Sequence, residues 1–292
     1  MKRMSRCLVL VGALALAGGS ITLAKEPDDG GVIVGRGSLV RYLYPASFME
    51  SSAAQQYTAL KQEANSKRAL LPAANPTSER LRRIAKDLLP HADKWNPRAK
   101  AWVWEVVAIQ SNNVNAFCMP GGKIAFFTGI IDQLRLSDDE VAIVMGHEMA
   151  HALREHSRAR AVKSTVTQVA GQIIGQLIFG QAGSTIGAQG AGLLTLKFSR
   201  DDEKEADLVG MELAARAGYN PAAGVVLWEK MSALAKGAPP QWMSTHPASE
   251  TRIQLIKEHL KEVEGLYERA RAQKASGGSS TAPATVAPPN KL

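Results

Sequence analysis

The sequence predicts an α+β fold, mostly helical with a small sheet. Two short runs rich in β-branched and aromatic residues, 100–110 and 123–128, lie in the first half of the chain. Apolar stripes at helical spacing begin at Ser78 and dominate after Ser137. Strands gathered early, with helices after them, fit a segregated α+β arrangement better than an alternating βαβ array. The 292 residues are 45% apolar and 21% charged, which suits a globular chain with a sizeable core and excludes a disordered, collagen-like or disulfide-stapled chain.

Residues 1–24 combine a basic start (Lys2, Arg3, Arg6), an apolar run and small residues around Thr22-Leu23-Ala24, the layout of a secretory signal peptide. The expectation is an exported chain, with an N-terminally anchored one as the alternative. Removing the leader takes the charge from +8 to 8 − 3 = +5 and the two cysteines to one, Cys118, so no disulfide partner is expected. A mature charge of +5 without a basic stripe of interleaved aromatics gives no sign of a nucleic-acid partner.

The remaining elements follow in order. Residues 78–91 carry Leu81, Ile84, Ala85, Leu88 and Leu89 at helical spacing. Residues 100–110 read as a strand and 112–117 as an extended continuation. Pro120-Gly121-Gly122 is a turn before a second strand at 123–128. Ser137 and Glu140 form a capping box that opens a helix expected to run through His156. Residues 164–196 are uncharged and Gly-rich and are read as a helical hairpin that walls or lids a cleft, or docks on a membrane surface. Helices are expected at 201–217, from Asn220-Pro221 to about 237, and at 249–273, with a loop at 239–247. Residues 274–292 are too polar and Pro-rich to bury a core and are expected to be a disordered tail. One catalytic domain is thus assigned to residues 25–273, its ordered part starting near 40.

The helix from Ser137 contains His147-Glu148-Met149-Ala150-His151. Two histidines four apart share a helical face and can reach one ion, and Glu148 beside them can take a proton from a metal-activated water. Zinc suits two imidazoles plus a carboxylate with one open position, so one Zn2+ per chain is expected. A third histidine three turns on is excluded because Arg154 and Ser157 stand where the extended motif needs Gly and His. His156, five residues past His151, points about 140° from the site face of a continuous helix and is left off the metal. The remaining source is a carboxylate on a second helix. On 201–217, Glu203, Ala206, Asp207, Gly210 and Ala214 form one small apolar face that carries only those two acids. Glu203 is assigned as the third ligand and Asp207 as the acceptor for a ligand histidine N–H. Glu205, Glu212 and Arg216 are expected to be solvated.

With these residues in place, the sequence resembles the zinc metallopeptidases of peptidase family 48, the group of the CAAX prenyl and HtpX-type proteases. His147 to His151, Glu203-Lys204-Glu205-Ala206-Asp207, the stretch from Asn115 to Ile124, and Thr245-His246-Pro247 with Arg252-Ile253 occur in the family's order. The resemblance implies a zincin-like (gluzincin) peptidase domain and polypeptide substrates, and it points to the soluble, exported bacterial branch and a periplasmic location. Degradation of misfolded or misassembled envelope proteins is the function it suggests. A latent-protease chaperone or assembly factor for outer-membrane proteins is the alternative, with membrane-surface or outer-membrane protein contact.

Residues Asn115, Ala116, Phe117 and Cys118 are read as the strand along which an extended substrate adds by main-chain hydrogen bonds. His246 either donates to the oxyanion of the tetrahedral intermediate or fills the fourth zinc position of a resting enzyme. Arg252 is expected to clamp Asp207 or Glu203.

Overall fold

The computed structural model describes residues 30–163, 198–235, 240–247 and 250–277. The leader at 1–24, the uncharged stretch at 164–196 and the tail beyond 277 lie outside the described residues.

Three strands, β1 (Glu105–Ile109), β2 (Ala116–Met119) and β3 (Lys123–Phe127), form one sheet in the order β1-β3-β2. β1 runs parallel to β3 and β2 antiparallel to it, with Val107 opposite Ala125 and Phe117 opposite Ala125 on the other side. The outer edge of β1 is closed by residues 69–71, through Gln110 N–H to Ala69 and Leu71 N–H to Ala108. Among the described residues no strand pairs with the outer edge of β2. Among the described residues that edge therefore leaves main-chain groups unpaired.

Alternate side chains of the strands feed two cores. Val107, Ile109, Met119, Ala125 and Phe127 pack under α1 (Ala46–Ser66), against Ala53, Tyr57, Leu60 and Ala64. Val106, Ala108, Ala116, Cys118, Ile124 and Phe126 join the main core with α2 (Pro76–Leu88) and α4 (Asp138–Leu153). Being covered on both faces explains why β1 and β3 read as nearly continuous apolar runs. The expected strand at 100–110 shortens to β1, because Pro97–Ala101 forms a 3-10 turn capped by Asn96. A short helix, α3 (Thr128–Leu134), follows β3 directly.

The capping box at Ser137 is present, with both reciprocal bonds to Glu140, and three acids in the first turn favour the helix dipole. The helix it opens does not reach His156. It ends at Leu153, Glu155 takes a left-handed φ of 57°, and α5 (His156–Lys163) starts in a new direction. α6 (Arg200–Arg216) opens on a second capping box, Ser199 with Asp202. It lies flat against α4 because two glycines meet. A Cβ on Gly210 would come 2.6 Å from His147 N, and one on Gly146 would come 2.7 Å from the Gly210 carbonyl. No other residue allows that approach.

α7 (Ala223–Leu234) follows the Asn220 turn, and the expected loop before Pro247 holds one helical turn, α8 (Gln241–Thr245). The last helix, α9 (Glu250–Ala275), packs on α6 and runs two residues past the expected boundary. The chain is ordered earlier than expected. Val32 is buried, and its N–H donates to Glu212 Oε2 at 2.7 Å. Glu212 and Arg216 are accordingly not solvated surface residues: Glu212 is fully buried and accepts from Lys94 and Arg216 as well. Among the described residues no helix is long and apolar enough to cross a membrane.

Candidate metal centre and cleft

The α4–α6 contact brings His147, His151 and Glu203 to one point beneath a cleft. His147 Nε2 and His151 Nε2 are 3.1 Å apart. Glu203 lies 3.6 Å from the first and 3.5 Å from the second. With His246 added, four ligand atoms fall within 4.8 Å of one another, all on buried residues.

The donor set fits a zinc ion. His147 Nδ1 faces the Asp207 carboxylate at 3.1 Å, so Nδ1 carries the proton and Nε2 offers a lone pair. Burial, helped by the neighbouring His147, His156 and His246, holds His151 well below the usual histidine range, so its ring is neutral. Two imidazole nitrogens facing each other beside a carboxylate are a donor set that suits a zinc ion.

Asp207 is where the sequence predicted. Arg252 grips it with a bidentate fork, Nε to Oδ2 and a terminal nitrogen to Oδ1, both at 2.6 Å. Burial alone would raise the Asp207 pKa, but the Arg252 charge and hydrogen bonds, with His147, hold it down at about 2. The same guanidinium is ion-paired with Glu203 Oε2 at 2.6 Å but makes no hydrogen bond to it, so the fork clamps Asp207 and holds Glu203 by charge. It also lies 3.7 Å from the centre of the Trp228 ring, which desolvates and orients it. Burial opposes ionisation of Glu203 too, and His246, Arg252 and His147 outweigh it, leaving its pKa lowered.

Glu148 faces the cleft, and its Oε1 accepts from the Trp242 indole N–H at 2.6 Å. His246 ends α8, one turn after Trp242. Its Nδ1 is 3.0 Å from Glu203 Oε1 and 3.2 Å from His147 Nε2, and its Nε2 is 3.5 Å from Glu148 Oε1. Burial lowers the His246 pKa, but Glu148 and Glu203 outweigh it and the result is raised.

The cleft is lined by Asn115, Ala116, Phe117, Cys118, Glu148, His151 and His246, with Met119, Phe198 and Thr245 among its other walls. All four residues read as the substrate strand therefore border it, and so does β2, whose outer edge is unpaired among the described residues. Cys118 is buried, and burial first, with the Glu148 charge, pushes its thiol pKa well up, as suits a packing residue rather than a reactive one.

Several neighbours of the site escaped the sequence reading. Trp242 sits in a segment without period, and only its indole donor beside the Thr245-His246-Pro247 motif hinted at a polar partner. Phe198 stacks on His151 with ring centres 3.8 Å apart. His156 was placed on the far side of a continuous helix. The break at Glu155 instead returns its ring to within 2.9 Å of His151 Nδ1. Glu205, expected in solvent, pairs with Arg154 and His156.

The family model for peptidase family M48 matches residues 76–260. The chain belongs to this family. Escherichia coli metalloprotease LoiP is 30% identical to it over 202 residues, 68% of this chain and 77% of that protein. The Arabidopsis thaliana mitochondrial metalloendopeptidase OMA1 is 37% identical over 153 residues, 52% of this chain and 31% of the relative. A Vibrio cholerae protein named for enhancing β-barrel assembly is 31% identical over 183 residues, 56% of this chain and 38% of the relative. The chain spans about a third to three fifths of the length of the plant and yeast OMA1 proteins it matches. The family is one of zinc-dependent metallopeptidases, and His147, His151 and Glu203 form a cluster able to hold such a metal.

Proposed function

We propose that the chain is an exported zinc endopeptidase that cuts misfolded or misassembled proteins of the cell envelope. The observation that carries the peptidase reading is the convergence of His147, His151 and Glu203 beside Glu148, in a cleft bordered by an unpaired strand edge. The envelope reading rests on the leader-like start at 1–24 and on the similarity to the bacterial relatives. Contact with a membrane surface or an outer-membrane protein belongs to the same proposal.

Zinc, when bound, supplies a Lewis acid for the scissile carbonyl and makes water a better nucleophile at neutral pH. The chain's own residues do the rest. The outer edge of β2, from Asn115 to Cys118, takes an extended peptide by main-chain hydrogen bonds, with little demand on its sequence. Glu148 accepts the proton of the attacking water and passes it to the leaving amine. Trp242 holds the Glu148 carboxylate toward the cleft. Asp207 fixes the His147 tautomer, and Arg252 neutralises the two buried carboxylates.

His246 has two readings. Its approach to Glu203 and His147 favours a resting form in which it takes the fourth ligand position. That form also accommodates the latent chaperone or assembly factor. In the other reading it donates to the oxyanion.

The test is cleavage of casein and of an unfolded β-barrel protein, with zinc content measured alongside. Glu148→Gln is expected to keep the metal and lose at least about a hundredfold in rate. His246→Ala raises the rate under the resting-form reading and lowers it under the oxyanion reading. A wild type and a His246→Ala variant that both hold zinc and cut neither substrate would overturn the enzyme reading in favour of the assembly factor.

A further inference from the structure

Among the described residues no carboxylate stands behind His151. Its Nδ1 lies 2.9 Å from His156 Nδ1, and His156 Nε2 lies 3.2 Å from Glu205 Oε2. Glu205 is in turn ion-paired with Arg154. The proton positions that leave His151 Nε2 free for a cation also satisfy the whole chain of contacts. Arg154 donates to an ionised Glu205, so Glu205 accepts from His156 Nε2–H. His156 Nδ1 is then the unprotonated nitrogen and accepts from His151 Nδ1–H. That leaves the lone pair of His151 on Nε2, the atom turned toward His147 Nε2 and Glu203. His156 is 3% exposed, so its ring nitrogens need polar partners at this depth.

The geometry arises from the helix break. On an unbroken α4, His156 would sit about 140° from His151. The left-handed Glu155 ends the helix and brings the ring back, and α5 holds it there.

We propose that His156 is the positioning residue of the second zinc ligand: it fixes the tautomer and ring orientation of His151 through a His151–His156–Glu205–Arg154 relay. This rests on the zinc-site reading above. A ligand histidine that loses the partner of its outer nitrogen commonly loses about 10- to 100-fold in metal affinity.

The test measures the zinc dissociation constant of the purified chain by chelator competition, with the visible absorption of the cobalt-loaded protein as a second readout. His156→Phe keeps a ring against His151 and Phe198 but removes the acceptor. His156→Asn removes the ring but places a carbonyl oxygen near the position of Nδ1. The expected result is a loss of about 10- to 100-fold for His156→Phe with altered cobalt bands, and for His156→Asn an affinity within about threefold of wild type. Circular dichroism and thermal unfolding identify variants that keep the fold. Wild-type affinity in folded His156→Phe overturns the proposal, and so does His156→Asn binding as weakly as His156→Phe. If His156→Phe does not fold, His156→Asn decides alone: a tenfold or greater loss in the folded Asn variant overturns the relay, and near-wild-type binding supports it. A wild-type chain that binds no zinc removes the metal reading itself, an outcome distinct from these.

Discussion

His147 and His151 sit one turn apart on α4, aim the same nitrogen at the same point, and are held from behind by different chemistry. Behind His147 stands an anion, Asp207, gripped by Arg252, and the side chains of this pair are each 3% exposed. Behind His151 stands a second imidazole, His156, which hands the contact outward to Glu205 and Arg154, with side chains 18% and 13% exposed. Both chains end in arginine. One keeps its charges in the core and the other moves them toward solvent. A buried ion pair is expensive to break from one side, because the partner is left charged and dry, whereas a pair near water can be resolvated. The two histidines are therefore expected to respond very differently to loss of their arginines.

The largest effect is expected at Arg252. Arg252→Ala strands the carboxylates of Asp207 and Glu203 without their cation and removes the contact with Trp228. Destabilisation of about 3–5 kcal/mol is expected in urea denaturation of the metal-free protein at pH 7. A cost below about 1 kcal/mol would mean that the deep pair is no more demanding than a surface one.

Acid sharpens the comparison next. The folded pKa of Asp207, about 2, lies below its ordinary value of 3.8. A depressed folded pKa means that the stabilisation is fully present above about pH 4 and is lost as the pH falls toward 2. The shift corresponds to about 2 kcal/mol. Stability of the metal-free wild type relative to Asp207→Asn should therefore shrink by about that amount between pH 5 and pH 2. Glu205 is also lowered, because His156 and Arg154 outweigh burial, so its variant should show the same sign. A gap between wild type and Asp207→Asn that does not change with pH would show that the Arg252 clamp does not control that carboxylate.

How much of this was legible in the sequence follows the same divide. His147, Glu148, His151, Glu203 and Asp207 could be read because each lies on an unbroken helix, where spacing dictates the face. The close approach of those helices was not read from the sequence, although Gly146 and Gly210 make it possible. His156 and Glu205 could not be read that way. Their meeting depends on a left-handed residue at Glu155, and no glycine or proline marks the break. Glu212 was misjudged for a related reason. It lies off the zinc face, and its cover comes from Val32, Lys94 and Arg216, of which the first lies 180 residues away in a segment without period. Helix α1 went unseen because small Ala residues share its buried stripe with Met49, Tyr57 and Leu60. The sheet was read as two strands with an extended lead-in, which the structure orders as three.

The smallest effect is expected where the two arrangements differ most, at Arg154. In Arg154→Ala, Glu205 keeps the hydrogen bond from His156 Nε2 and gains access to water. The cost to stability should be about 1 kcal/mol or less. Because the His156 ring still receives its acceptor, His151 should keep its tautomer, and zinc affinity should fall by no more than about threefold. The informative quantity is the difference between this variant and Arg252→Ala, measured in the same buffer by urea denaturation and chelator competition. A wide gap means that the relay has placed its charge where solvent can replace a partner. A gap near zero means that Glu205 depends on Arg154 as strictly as Asp207 depends on Arg252, and the difference in exposure would then have no energetic consequence.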